Sequence, residues 1–68
     1  MESSNIEAKL LNVREAAAYL GLAHGTVYHL ISEKRIPVIH LSRRCVRFRR
    51  ADLDRWLDVR TRPANEEY

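Results

Sequence analysis

Between Arg35 and Arg50 the chain carries six arginines (Arg35, Arg43, Arg44, Arg47, Arg49, Arg50), one histidine (His40) and no acid. The residues between them, Val38, Ile39, Leu41, Val46 and Phe48, are apolar and mostly β-prone. Arginines interleaved with strand formers describe a small hairpin with a cationic face. The chemistry such a face performs is the capture of a polyanion. Guanidinium groups there neutralise phosphates, or enter a narrow groove of negative potential.

Other chemistries find less support. Three histidines and a cysteine raise the question of a metal. His24 and His29, however, lie five apart, not the three or four that share a helix face, and no Cys-x-x-Cys or His-Glu-x-x-His pattern exists. No glycine-rich phosphate loop appears, Cys45 has no evident base partner, and a chain this short leaves little room for a pocket. The reading is therefore a binding protein, not an enzyme, with neither cofactor nor metal.

At 68 residues the chain makes one small domain with a thin core. No run of about 18 apolar residues exists to cross a membrane. Met1 to Asn5 lacks the features of a signal peptide, and one cysteine fits a reducing compartment, so a cytoplasmic, nucleoid-associated location is expected. The formal net charge is only +3, but ten of the twelve Lys and Arg residues fall at or after Lys34. A concentrated positive field matters more than the total for binding a polyanion. A basic stretch can equally be a solvated charged face. The absence of compensating acid between residues 35 and 50 weighs against that.

The elements that must position these residues follow from pattern. Asn12 N-caps a helix over Val13–Leu20, with Glu15 completing a capping box, Leu11 stapled against Ala16, and Ala16, Ala17 and Leu20 facing inward. Gly21 stops it in the left-handed region. A second helix runs from His24 to about Lys34 with Val27, Leu30 and Ile31 inward, and Pro37 closes the helical region. Val38 to Leu41 and Cys45 to Phe48 read as two strands around a turn at Ser42, Arg43 and Arg44. Period two puts Ile39 and Leu41 on one face, Val46 and Phe48 on one face of the partner strand, and Arg47 outward. A last helix, about Ala51 to Arg60, presents Leu53, Trp56 and Leu57 as its apolar stripe, with Asp52 and Asp54 in its first turn, where they suit the helix dipole.

The runs LLNVREAAAYLGLAHGTVYHLISEKRIP and VIHLSRRCVRFRRADLDRWL together resemble the winged helix-turn-helix domain of the excisionase family, itself similar to the DNA-binding domains of MerR-type regulators. The resemblance spans Leu10 to Leu57. It is carried by Ala18-Tyr19-Leu20-Gly21, Thr26-Val27-Tyr28, Ile36-Pro37, Val46-Arg47-Phe48 and Asp52-Leu53-Asp54-Arg55-Trp56-Leu57 in order. It implies a mainly α fold with a small β-hairpin, in which the second helix reads the major groove and the hairpin is the wing. Members of that family bind and bend DNA beside an integrase, or regulate transcription. This chain departs from the usual pattern at Ala23 and Gly25, where a hydroxyl residue commonly opens the second helix, and at His29, where a basic residue is common. It departs again at Glu33-Lys34-Arg35 and at Ser42, where glycine is common.

The expected DNA-binding residues are His24, Gly25, Thr26, Tyr28 and His29 at the start of the second helix, Lys34 and Arg35 after it, and Arg43, Arg44 and Arg47 in the wing. Base readout generally comes from the N-terminal part of such a helix. Tyr28 either touches phosphate or packs at the core edge, and Arg49 and Arg50 either meet DNA or pair with Asp52 or Asp54. The expected division is a flexible N-terminus over 1–9, a winged helix-turn-helix over 10–60 and a flexible tail over 61–68. The expected partner is double-stranded DNA, with an integrase or recombinase and cooperative self-association on DNA as further partners. Two rivals stay open: a small transcriptional regulator with the same DNA chemistry, and a protein-interaction module that has kept the fold and lost DNA binding.

Overall fold

Asn12 starts the first helix by two reciprocal hydrogen bonds. Its side-chain oxygen accepts from the Glu15 amide at 2.7 Å, and the Glu15 carboxylate accepts from the Asn12 amide at 2.9 Å. The helix they launch, α1, is Val13–Leu20, and Gly21 ends it at φ 71°. In this computed structural model, which describes residues 10–64, α1 is followed by α2 (His24–Ser32), strands β1 (Ile39–Ser42) and β2 (Cys45–Arg47), and α3 (Arg50–Arg60). The fold is three helices and a two-stranded antiparallel hairpin, mainly helical, in winged helix-turn-helix order. Of the tails expected over 1–9 and 61–68, residues 1–9 and 65–68 lie outside the described residues.

The core gathers one or two residues from each helix and from the segments flanking them: Leu11, Ala16, Ala17, Val27, Ile36, Phe48 and Leu53. Ala16 and Ala17 keep the α1 surface low where Val27 of α2 is buried. Phe48, Leu53 and Val27 are fully buried, each contributing about 1.5–3 kcal/mol by leaving water.

Four expectations need correction. First, α2 ends at Ser32, before Lys34, and not because of Pro37. Lys34 adopts the left-handed conformation at φ 58°, its amide donates to the Ile31 carbonyl, and the Arg35 amide donates to the Leu30 carbonyl. This is a Schellman turn with lysine where glycine is usual.

Second, the strands are displaced. β1 begins at Ile39 and takes in Ser42, and the turn is Arg43-Arg44 alone. Ile39 pairs with Arg47, His40 with Val46 and Ser42 with Cys45, which leaves Leu41 as the extra residue of a bulge. Ile39 therefore sits across from Arg47, and Leu41 is 58 % exposed instead of facing inward.

Third, Phe48 leaves the hairpin ladder to form a bridge with Leu11. Fourth, α3 begins at Arg50, which moves Asp54 out of its first turn, and Leu57 is exposed because the core meets α3 at Leu53 and Trp56.

Candidate nucleic-acid interface

The hairpin, the start of α1 and the middle of α2 enclose an open concavity of about 630 Å³. From α1 and its cap come Asn12, Val13 and Arg14; from α2 come Tyr28 and Ile31; from the hairpin come His40, Arg43, Arg44, Val46 and Arg47. Four arginines and one histidine thus line a single hollow, and among the described residues no Asp or Glu lines it. The β1–β2 register explains the hairpin's contribution. His40 and Val46 are paired and share a face, while the two-residue turn lifts Arg43 and Arg44 into solvent.

Arg47 is placed differently from expectation. It is half-buried, not outward, and its guanidinium donates to the neighbouring Val46 carbonyl at 2.8 Å. That bond fixes the side chain beside the hollow and leaves other N–H groups of the fork for a ligand. Tyr28 is 57 % exposed and lines the same hollow, so it is a surface residue and not part of the core.

The remaining expected residues do not line the hollow. His24, Gly25 and Thr26 are exposed at the start of α2. That start has no side-chain cap: Ala23 occupies the N-cap, and only its carbonyl serves the first amides, those of Thr26 and Val27. His29 and Arg35 share one acid. Glu33 lies 3.1 Å from His29 Nε2 and 3.1 Å from an Arg35 guanidinium nitrogen. The loop that carries Lys34 and Arg35 is tied to α3, because the Trp56 indole donates to the Arg35 carbonyl at 2.8 Å. Arg49 pairs with Asp52 at 3.2 Å, while Arg50 lies over the Tyr19 ring, 5.5 Å from its centroid. The site thus has two parts: a hollow holding Tyr28, Arg43, Arg44 and Arg47, and an exposed α2 start with the turn beyond it.

Sequence reasoning passed over Arg14. A signal was available. A cation in the first turn of a helix opposes the macrodipole, and such breaches of local preference concentrate at functional positions.

Away from the hollow, Tyr19 on α1 donates a hydrogen bond to the Asp54 carboxylate on α3. That bond, with partial loss of solvent and the Asp54 charge, raises the Tyr19 phenol above its ordinary value, while the Arg50 charge works in the other direction.

A helix-turn-helix followed by a basic two-stranded wing defines a class of DNA-binding domain. A family model described as a helix-turn-helix domain matches residues 10–60, and the chain belongs to that family. No curated protein and no solved structure matches it. Among the described residues, no helix is long and apolar enough to cross a membrane.

Proposed function

We propose that this protein is a sequence-specific DNA-binding protein of the excisionase type, which binds and bends DNA to assist an integrase. The observation that carries the DNA reading is the acid-free hollow lined by Arg14, Arg43, Arg44 and Arg47 beside the exposed start of α2. In this reading His24, Gly25, Thr26 and His29 approach base edges in the major groove. Lys34 and Arg35 add attraction from the turn beyond α2. Tyr28, Arg43, Arg44 and Arg47 hold the backbone. A histidine donates to or accepts from a base edge but lacks the guanidinium fork that reads guanine, so base reading by α2 is modest.

The excisionase assignment draws on the ordered motifs from Leu10 to Leu57. A domain this small covers few base pairs. Useful specificity then comes from several copies on adjacent sites, or from a larger partner such as a recombinase. Nanomolar, strongly sequence-specific binding by a single copy would sink that part of the proposal.

The first experiment is titration of labelled random-sequence duplex DNA at about 50 and 200 mM salt, a range over which phosphate contacts announce themselves through counterion release. Binding should weaken steeply with salt, and weaken again in the double variant Arg43→Ala/Arg44→Ala. Absence of binding at the lower salt would overturn the DNA reading in favour of a protein-interaction module. Once a site is selected, excision by a cognate integrase with and without the protein separates the excisionase role from that of a transcriptional regulator.

A further inference from the structure

Arg14 is the one guanidinium in the hollow that the hairpin does not supply. It is exposed on the first turn of α1 and is in none of the ion pairs of the described residues. Among the described residues nothing accounts for a cation there, since the α1 N-terminus disfavours positive charge. The capping box closes without it, through Asn12 and Glu15. The backbone that carries Arg14 is nevertheless anchored, two residues after an N-cap and three after Leu11, whose backbone is bonded to Phe48.

We propose that the hollow is a sugar-phosphate site, and that Arg14 is its second grip. One strand of a duplex lies between Arg14 on the α1 side and Arg43, Arg44 and Arg47 on the hairpin side, with phosphates contacted from both. The inference rests on the DNA reading above. It adds Arg14 to the backbone contacts assigned above to Tyr28, Arg43, Arg44 and Arg47, and puts all of them on one strand. Tyr28 fits the same role, since it is exposed and lines the hollow, and a tyrosine hydroxyl can donate to a phosphate oxygen. A strand gripped from both sides also docks the hairpin against the body of the domain.

The test compares wild type, Arg14→Ala and Arg55→Ala on two labelled duplexes of unrelated sequence, each over a salt series. Arg55 is a charge control away from the hollow: it is exposed on α3, lies 3.4 Å from Asp52 and lines a separate hollow with Trp56 and Val59. Arg14→Ala removes an unfavourable helix-end charge, so it should fold at least as well as wild type, which a thermal melt checks. The expected result is a loss of affinity by the same factor, several-fold, on both duplexes, with a log-log salt slope smaller by about one. Arg55→Ala should change affinity far less. If wild type binds and Arg14→Ala behaves like Arg55→Ala, the inference fails and the DNA reading stands. A loss confined to one sequence would also overturn it, because that would mark base reading. If wild type binds neither duplex, both readings fall together.

Discussion

Leu11 and Phe48 exchange both of their backbone hydrogen bonds, at 2.8 and 2.7 Å, across 37 positions of sequence. This pair joins the segment before α1 to the end of the hairpin, and both side chains are buried in the core. A two-stranded hairpin is marginal alone, and Ile39, Leu41 and Val46 are outside the core and its packed rim. The bridge is therefore the wing's main anchorage. Phe48→Ala should cost about 3–5 kcal/mol, most of the stability of so small a domain, whereas Phe48→Leu should keep the fold at about 1.5 kcal/mol or less. Urea unfolding followed by far-UV circular dichroism measures both. An unaltered midpoint in Phe48→Ala would contradict the anchoring role.

The left-handed Lys34 predicts a gain. A lysine at φ 58° pays a steric cost that glycine avoids. Lys34→Gly should raise stability by about 1 kcal/mol. The same substitution deletes a cation, so DNA affinity should fall slightly while the melting temperature rises. A lower melting temperature would mean that the lysine side chain stabilises the turn by more than its backbone costs.

The two helix starts predict opposite responses. Asn12→Ala breaks a complete capping box and should destabilise by about 1 kcal/mol. Ala23→Ser supplies the side-chain acceptor that α2 lacks and should stabilise by a similar amount, about 1 kcal/mol. Chemical denaturation of the two single variants checks the pair. Equal and negligible shifts would show that tertiary packing, not capping, decides where these helices begin.

Tyr19 and Asp54 predict a dependence on alkali. The fold favours the protonated phenol, raising its pKa, so this contribution is complete at neutral pH. It is lost as pH climbs beyond the unfolded tyrosine's value of about 10 and through the higher folded one. Wild type should be more stable than Tyr19→Phe at neutral pH, with the difference shrinking in alkali. Urea midpoints of the two proteins across that range give the answer, and a difference that stays constant would remove Tyr19 as the titrating group.

What was legible in the sequence is local. The Asn12/Glu15 box, the stop at Gly21 and the bounds of α1 are each written within a few residues, and the structure has them as read. The end of α2 was not legible because nothing about a lysine side chain announces positive φ. The hairpin's register depends on one bulge at Leu41, and a single inserted residue reverses the faces that strict alternation would assign. Leu57 matched the helical period of Leu53, yet the period does not say how wide a stripe the rest of the fold can cover. Among the site residues, the sequence displayed the wing arginines as a run. It did not show that Arg14, some 30 positions earlier, shares their hollow, since that proximity exists only after folding.

Glu33 gives the interface an asymmetry. It already holds His29 and Arg35, whereas among the described residues no acid lines the hollow. On the α2 side an incoming phosphate must outcompete a resident carboxylate and gains only the difference. On the hairpin side it meets cations with no internal rival. On the DNA reading proposed above, the hollow is the indiscriminate half of the surface and the α2 side the reluctant one. There Glu33 is a local rival that charge alone must displace.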